Sequence, residues 1–242
     1  MTDILRVEGL SKRYGGVVVA DTVDLSIATG TCLGVIGPNG AGKTSLFNLL
    51  DGSVRADAGR IVLDGSDVTR VSRHRRARLG IARAFQIPQP FPDLTVFENV
   101  LTTATFGAGL AGAAAARAAL ETLERTGLAA QRHLLAGSLR LLDRKRLELA
   151  RALATRPRLL LLDEVAGGLT EHECATLIAL IKDVRRTGVS IVWIEHIVHA
   201  LVSAVDRLVV LHGGRFIAEG DPASVIRSPQ VEEIYMGIAA DA

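Results

Sequence analysis

Residues 37–44 of the chain read Gly37-Pro38-Asn39-Gly40-Ala41-Gly42-Lys43-Thr44. This octapeptide satisfies the pattern GxxxxGK[ST], and it follows a short apolar run at 31–36 that predicts a strand. The composition of residues 43–50 indicates a helix. Strand, glycine-rich loop and helix in this order form the context in which the pattern makes a phosphate-binding loop, or P-loop.

The residue types in this loop suit a phosphorylated ligand. Glycines let the backbone curl so that successive N–H groups and the helix N-terminus face phosphate oxygens. Lys43 adds a cation, and Thr44 adds a hydroxyl group that can bind Mg²⁺. Ser45, the next residue, is included among the residues that we expect to contact the ligand. The alternative is a glycine turn that binds nothing.

Length and composition limit the classes of protein that remain. The chain has 242 residues, of which 48% are hydrophobic and 22% charged. These values predict one globular domain, or a core with one insertion, and they exclude a disordered or fibrous chain. The net charge of +2 is spread along the chain, so we expect no nucleic-acid partner. Two cysteines without CxxC spacing, and a start that lacks an apolar signal segment, favour the cytosol.

Strand-like and helix-like segments alternate around the loop. Residues 159–162 are leucines, which predict a buried central strand, and 190–194 predict another. Short apolar runs at 7–10, 17–19 and 23–27 predict an antiparallel start. We therefore expect an α/β fold: a P-loop NTPase core with a mainly parallel sheet, an N-terminal antiparallel β subdomain and an inserted α-helical subdomain.

The predicted domain organisation is a single nucleotide-binding domain over residues 1–242. Its core and β subdomain take 1–88 and 156–242, and the helical subdomain takes 89–155, because Ala, Leu and Arg recur there at helical spacing. The uncharged run at 99–116 is a poor candidate for a membrane span, since it is built mainly of Ala, Gly and Thr.

Chemistry-bearing side chains follow the two buried strands. Asp163 and Glu164 come directly after the leucine strand, at the sheet edge where open parallel sheets bind ligands. Asp163 is expected to hold Mg²⁺, and Glu164 to act as general base toward water. His196 follows the second strand and could donate to a phosphate. The alternatives are a solvated acidic pair and a structural histidine.

These elements, in this order and separated by a helical insertion, resemble the nucleotide-binding subunit of ABC transporters. The resemblance covers nearly the whole chain and implies that ATP is the nucleotide. It implies that Tyr14 stacks on adenine, and that Gln86 approaches the metal and the attacking water. Asp163 and Glu164 match the Walker B motif with its catalytic glutamate, and His196 matches the switch histidine.

The phrases ARAFQ, DLTVFENV, LLLLDEVAGGL and WIEH look like those of ATP-binding subunits of branched-chain amino acid importers. Importers of related small solutes share them. The resemblance implies a second ABC ATPase subunit, in a heterodimer or homodimer, and transmembrane permease subunits. A periplasmic or extracellular solute-binding protein would act indirectly. The subunit would be cytoplasmic and peripheral on the inner face of the cell membrane.

The sequence departs from the family at the LSGGQ-type signature, which falls on residues 139–143. Arg140 holds the serine position and Leu142 the second glycine position. The leucine adds bulk where backbone meets phosphate, and Asp143 adds like charge. We therefore hypothesise an asymmetric pair, in which a partner's signature completes the strong ATP site. The alternative is a different local conformation in which Arg140 or Lys145 supplies positive charge.

Two other functions stay open at this point. One is a regulatory subunit that binds nucleotide with little turnover, and the other is a soluble ABC ATPase outside transport. Length and charge disfavour the second. A basic cluster, which we expect to be a solvated helix face, comprises Arg73, Arg75, Arg76 and Arg78.

Overall fold

The computed structural model describes residues 2–196 and 198–240. The strands are β1 (Asp3–Tyr14), β2 (Val17–Ala28), β3 (Cys32–Ile36), β4 (Ala58–Leu63), β5 (Ser66–Asp67), β6 (Ile81–Ala84), β7 (Leu159–Asp163), β8 (Ser190–Ile194), β9 (Arg207–His212) and β10 (Arg215–Gly220). The helices are α1 (Lys43–Asp51), α2 (Arg73–Arg78), α3 (Val96–Phe106), α4 (Gly112–Arg125), α5 (Leu141–Ala154), α6 (Glu171–Arg186), α7 (Val198–Val202), α8 (Pro222–Ile226) and α9 (Pro229–Ala240). The predicted domain limits at residues 1 and 242 lie outside the described residues.

The first sheet is antiparallel, with strand order β2-β1-β4-β5. Its strands β1 and β2 have 12 residues each, whereas the sequence predicts shorter strands interrupted by polar residues. β-Bulges shift the register between β1 and β2 at several points, and the two strands stay paired beyond each shift. Gly9 adopts φ +57°, and its N–H donates to Asp24 Oδ1 at 2.7 Å. The polar positions therefore belong to the strands.

The second sheet has strand order β10-β9-β3-β8-β7-β6, and its pairs are parallel except for the hairpin of β9 and β10. Every residue of β3, β7 and β8 is buried, as expected for strands covered on both faces. The predicted α/β fold with a mainly parallel sheet and an antiparallel β subdomain is confirmed.

Parallel pairing brings the carboxyl ends of the central strands to one edge. β3 pairs with β8, and β8 pairs with β7, so that Asp163 lies opposite Ile194. The chain leaves β3 into Gly37, β7 into Glu164, and β8 into Glu195 and His196. The polar residues that follow β7 and β8 lie at least 120 positions after the loop in sequence. In the fold, the loop and these residues share one edge of the sheet.

Helices α3, α4 and α5 pack around a hydrophobic cluster of their own, which includes Val100, Leu123 and Leu147. The Thr95 hydroxyl accepts from Glu98 N–H, and the Glu98 carboxylate accepts from Thr95 N–H, so a capping box starts α3. Small residues of the uncharged run, among them buried Ala104 and Ala115, pack between these helices together with Ala119 of α4. Among the described residues, no helix has both the length and the apolar character needed to cross a membrane.

The basic helix α2 differs from the expectation of a solvated face. Arg75 and Arg78 are exposed, but the side chain of Arg76 is buried. The Arg76 guanidinium donates to the carbonyls of Leu49 and Leu50, at 2.7 and 2.9 Å, and to those of Val71 and Thr69. The last carbonyls of a helix lack partners within it, so Arg76 satisfies the end of α1. The prediction was wrong for this residue because spacing alone does not reveal a neighbouring helix end.

Candidate nucleotide-binding site

The loop between β3 and α1 makes close backbone contacts that require glycine. Gly37 has φ +157°, and a Cβ placed there would lie 2.1 Å from the carbonyl oxygen of Leu211. Gly42 has φ +105°, and its Cβ would lie 2.3 Å from the carbonyl oxygen of Val19. These two glycines let strands β2 and β9 support the loop from behind. The loop therefore has a fixed backbone at the N-terminus of α1, where N–H groups bind anions.

Lys43 is buried within its own loop. Its Nζ donates to the carbonyl oxygens of Gly37 and Pro38, at 2.7 and 3.0 Å. Burial lowers the pKa of the Lys43 ammonium, and the carboxylates of Glu164 and Asp163 oppose this shift. The cation is thus held at the loop with both acids near enough to affect its charge. Thr44, Asn39 and Gly40 are exposed, and Ser45 and Pro38 are partly exposed.

Glu164 lies at the centre of the polar groups along this edge. Its Oε1 is 2.6 Å from Nε2 of His196, and its Oε2 accepts from Nε2 of Gln86 at 2.5 Å. Glu164 has φ +47°, a region that non-glycine residues rarely adopt, and its N–H donates to the carbonyl of Ile194 at 2.9 Å. Strained backbone of this kind occurs often at functional sites. The structure therefore brings together the three predicted catalytic residues.

Asp163 is buried at the end of β7, next to Glu164. Its Oδ2 accepts from Nη2 of Arg83 at 2.5 Å. Carboxylate and hydroxyl oxygens, such as those of Asp163 and Thr44, are donors suited to Mg²⁺. The glycine cradle, the lysine and these oxygen groups together fit a phosphorylated ligand with its magnesium ion.

Tyr14 lies at the end of β1, and its exposed ring stands 5.3 Å from Nζ of Lys12. Tyr14 pairs with Val17 on β2, the strand whose Val19 carbonyl contacts Gly42. The hairpin end that carries Tyr14 is therefore continuous with the strand behind the loop. Adenine stacking on this ring stays a prediction.

The signature segment leads into α5, with Arg140 as its N-cap residue. Asp143 lies in the first turn and pairs with Arg146 at 3.2 Å, and Leu141 is exposed. Lys145 does not lie at this surface. Its buried Nζ donates to the carbonyl of Gln86, and burial lowers the pKa of the ammonium. Of the two cations considered for this segment, only Arg140 is exposed.

Three buried charged residues around the site make contacts that sequence reasoning did not predict. Arg83 contacts Asp163, and Lys145 contacts the backbone of Gln86. Glu195 accepts from the N–H of Ala166 at 2.7 Å, and burial raises the pKa of its carboxyl group. A signal existed for Lys145, because helical spacing puts it on the same face as buried Leu149. Sequence spacing offers no comparable signal for the partners of Arg83 and Glu195.

The fold and the site define a nucleotide-binding P-loop protein with a glutamate, Glu164, at the carboxyl ends of its parallel strands. Residues 20–167 match the ABC transporter family, and the chain belongs to this family. It is an ABC-type ATPase.

Two curated relatives match along nearly their whole length. The chain is 37% identical to the high-affinity branched-chain amino acid transport ATP-binding protein BraF of Pseudomonas aeruginosa, covering 98% of each chain. It is 34% identical to the lipopolysaccharide export system ATP-binding protein LptB of Haemophilus influenzae, covering 97% of each. A solved structure, the ADP conformation of an ATP-binding cassette of an ABC transporter, is similar with TM-score 0.89 and 30% identity, covering 98% of this chain and 100% of that one.

Proposed function

We propose that this chain is the ATP-hydrolysing subunit that drives an ABC importer of branched-chain amino acids or similar small solutes. The proposed ATP hydrolysis rests on the position of the Glu164 carboxylate, which lies between Gln86 and His196 and directly after Asp163. A carboxylate held by two side chains beside a phosphate-binding loop is placed to take a proton from water.

Each predicted residue has a task in this proposal. Lys43 and the loop N–H groups bind the phosphates, and Tyr14 stacks on adenine. Thr44, Gln86 and Asp163 hold Mg²⁺, which, when bound, offsets the negative charge of the phosphates. Glu164 accepts the proton of the attacking water, and His196 donates to the γ-phosphate.

The choice of solute rests on similarity. The relatives named above serve a branched-chain amino acid transporter and a lipopolysaccharide exporter, at 37% and 34% identity. The phrases ARAFQ and WIEH favour the amino acid importers. Permease subunits and a solute-binding protein then select the solute, and this subunit acts at the inner face of the membrane. We also propose that residues 89–155 form a helical subdomain and that 1–88 with 156–242 form the ATP-binding core.

Solute uptake tests this proposal. Cells of the source organism that lack this chain are expected to take up labelled leucine more slowly than the parent strain. The wild-type chain should restore uptake, whereas Glu164→Gln should not, although it is produced in equal amount. Unchanged leucine uptake, together with a defect in the export of lipopolysaccharide, would contradict an amino acid importer.

The degenerate signature supports an asymmetric pair of ATPase subunits. A signature that presents a helix N-terminus to phosphate benefits from small residues and from the absence of negative charge. Here Arg140 occupies the N-cap position of α5 without a side-chain cap hydrogen bond, and Leu142 and Asp143 lie in the first turn. We propose that this segment serves a weak ATP site, while the loop and Glu164 of this chain serve a strong site completed by a partner subunit.

Restoring the signature is expected to raise the ATP turnover of the isolated chain. The double variant Arg140→Ser with Leu142→Gly would return a hydroxyl and a close backbone approach, which should increase turnover roughly tenfold or more, since one such donor contributes about 10²–10³ in rate. Steady-state phosphate release measures the effect. The conservative control is Arg117→Lys, at an exposed arginine on α4. High turnover by the wild-type homodimer would contradict asymmetry.

A regulatory subunit is the second candidate function, and the acidic first turn of α5 favours it. In that case the wild-type chain would bind ATP but turn it over slowly even with its partner ATPase. Phosphate release by the mixed pair, with Glu164→Gln in one subunit at a time, distinguishes the two functions.

A further inference from the structure

Arg83 is a buried arginine on β6 that joins two other elements. Its Nη1 donates to Asn48 Oδ1 at 2.8 Å and to Asp51 Oδ2 at 2.9 Å, both on α1. Its Nη2 donates to Oδ2 of Asp163, at the end of β7. The side chains of Arg83 and Asp51 are 5% exposed, and that of Asp163 is 6% exposed. The guanidinium therefore connects the helix after the P-loop with the proposed magnesium ligand.

Aromatic rings restrict the orientation of this guanidinium. Its central carbon lies 4.8 Å from the ring centre of Phe85 and 5.5 Å from that of Phe47. A planar guanidinium that is both stacked and bonded in two directions has little rotational freedom. The direction of the bond to Asp163 is set by α1 and by both rings.

This contact limits what the Asp163 carboxylate can do. One oxygen, Oδ2, is engaged by Arg83, so Oδ1 is the oxygen that carries no bond to this guanidinium. The group also holds two carboxylates, Asp51 and Asp163, against one guanidinium. The position of the Asp163 carboxylate is therefore tied to that of α1.

We propose that Arg83 is a positioning residue that orients Asp163 toward the Mg²⁺ of bound ATP. The proposal rests on the proposed function, because it assumes that Asp163 binds this ion. Groups that orient a metal ligand typically change metal affinity by about 10–100-fold when they are replaced. A purely structural arginine would affect stability without a specific effect on magnesium.

The test is Arg83→Lys, which keeps the positive charge but cannot bond to α1 and β7 in a forked geometry. Binding of the methylanthraniloyl analogue of ATP is measured by fluorescence with Mg²⁺ and with excess EDTA. We expect the affinity with Mg²⁺ to fall roughly tenfold, and the affinity in EDTA to stay within about twofold. Arg73→Lys is the matched control, because Arg73 lies 4.0 Å from the same Asp51 but is exposed.

A second variant, Asp51→Asn, weakens the attachment to α1 and should shift Mg²⁺-dependent binding in the same direction. It keeps the test decisive if Arg83→Lys does not fold. Equal losses with Mg²⁺ and with EDTA, or a lower melting temperature with unchanged binding, would overturn the positioning role while leaving the ATPase function intact. A wild-type chain that binds no nucleotide would overturn the proposed function, and this inference with it.

Discussion

Glu164→Gln is expected to lower the rate of ATP hydrolysis about 10²–10⁴-fold, the range that a positioned general base contributes. Glutamine keeps the size of the side chain but cannot accept the proton of the attacking water. In the wild type, Gln86 donates to one Glu164 oxygen, and Nε2 of His196 lies 2.6 Å from the other. The NH₂ group of the new glutamine would replace one of these two oxygens, so one of the two contacts would be lost. Single-turnover hydrolysis by the chain with its partner ATPase measures the rate.

Nucleotide affinity separates loss of chemistry from loss of folding. Because Glu164 lies outside the phosphate-binding loop, Glu164→Gln should bind ATP within a few-fold of the wild-type affinity. Glu121→Gln, an exposed acid on α4, is the control for the change in charge and should hydrolyse ATP normally. Wild-type turnover by Glu164→Gln would contradict the role of general base.

Lys43→Met is expected to weaken ATP binding by about 10–100-fold, because a hydrogen bond to a charged group contributes about 1.5–3 kcal/mol. Methionine preserves most of the length of the side chain and removes the ammonium, which the structure holds against the loop carbonyls of Gly37 and Pro38. Isothermal titration with ATP and Mg²⁺ measures the affinity.

We expect Lys43→Met to fold. Burial disfavours the charged form of Lys43, as the lowered pKa of its ammonium indicates, so its removal should not greatly destabilise the nucleotide-free chain. Lys182→Ala on α6, far along the chain from the loop, should bind ATP like the wild type. An unchanged ATP affinity in Lys43→Met would remove the basis for the P-loop assignment.

Local patterns predicted the elements of this fold well where a short-range signal exists. The stretch Thr170-Glu171-His172-Glu173 matches the sequence pattern of a capping box and predicts a helix to about Arg186. Helix α6 spans Glu171–Arg186, and Thr170 and Glu173 form that capping box. The leucine strand and the apolar strand at 190–194 also have the predicted type. The β1–β2 hairpin was predicted less well, because a bulge depends on the partner strand as well as on the residues that it contains.

In the candidate site, too, local sequence patterns identified some residues, whereas one contact depends on the tertiary structure. The P-loop, Asp163, Glu164 and His196 could be named from sequence, since each follows a recognisable strand. The contact of Gln86 with Glu164 depends on strand β6 lying beside β7, which only the order of strands in the sheet establishes. The family resemblance implied the role of Gln86, but not this hydrogen bond.

The sequence by itself determined the class of fold, the phosphate-binding loop and the residues at the strand ends, because glycine conformation, hydrophobic period and capping act over a few residues. Only the tertiary structure decided where the buried charges go. Arg76 reaches the end of α1, Arg83 reaches Asp163, and Lys145 reaches Gln86. A buried charge must find its partner in space, and such partners lie on elements that are distant in sequence.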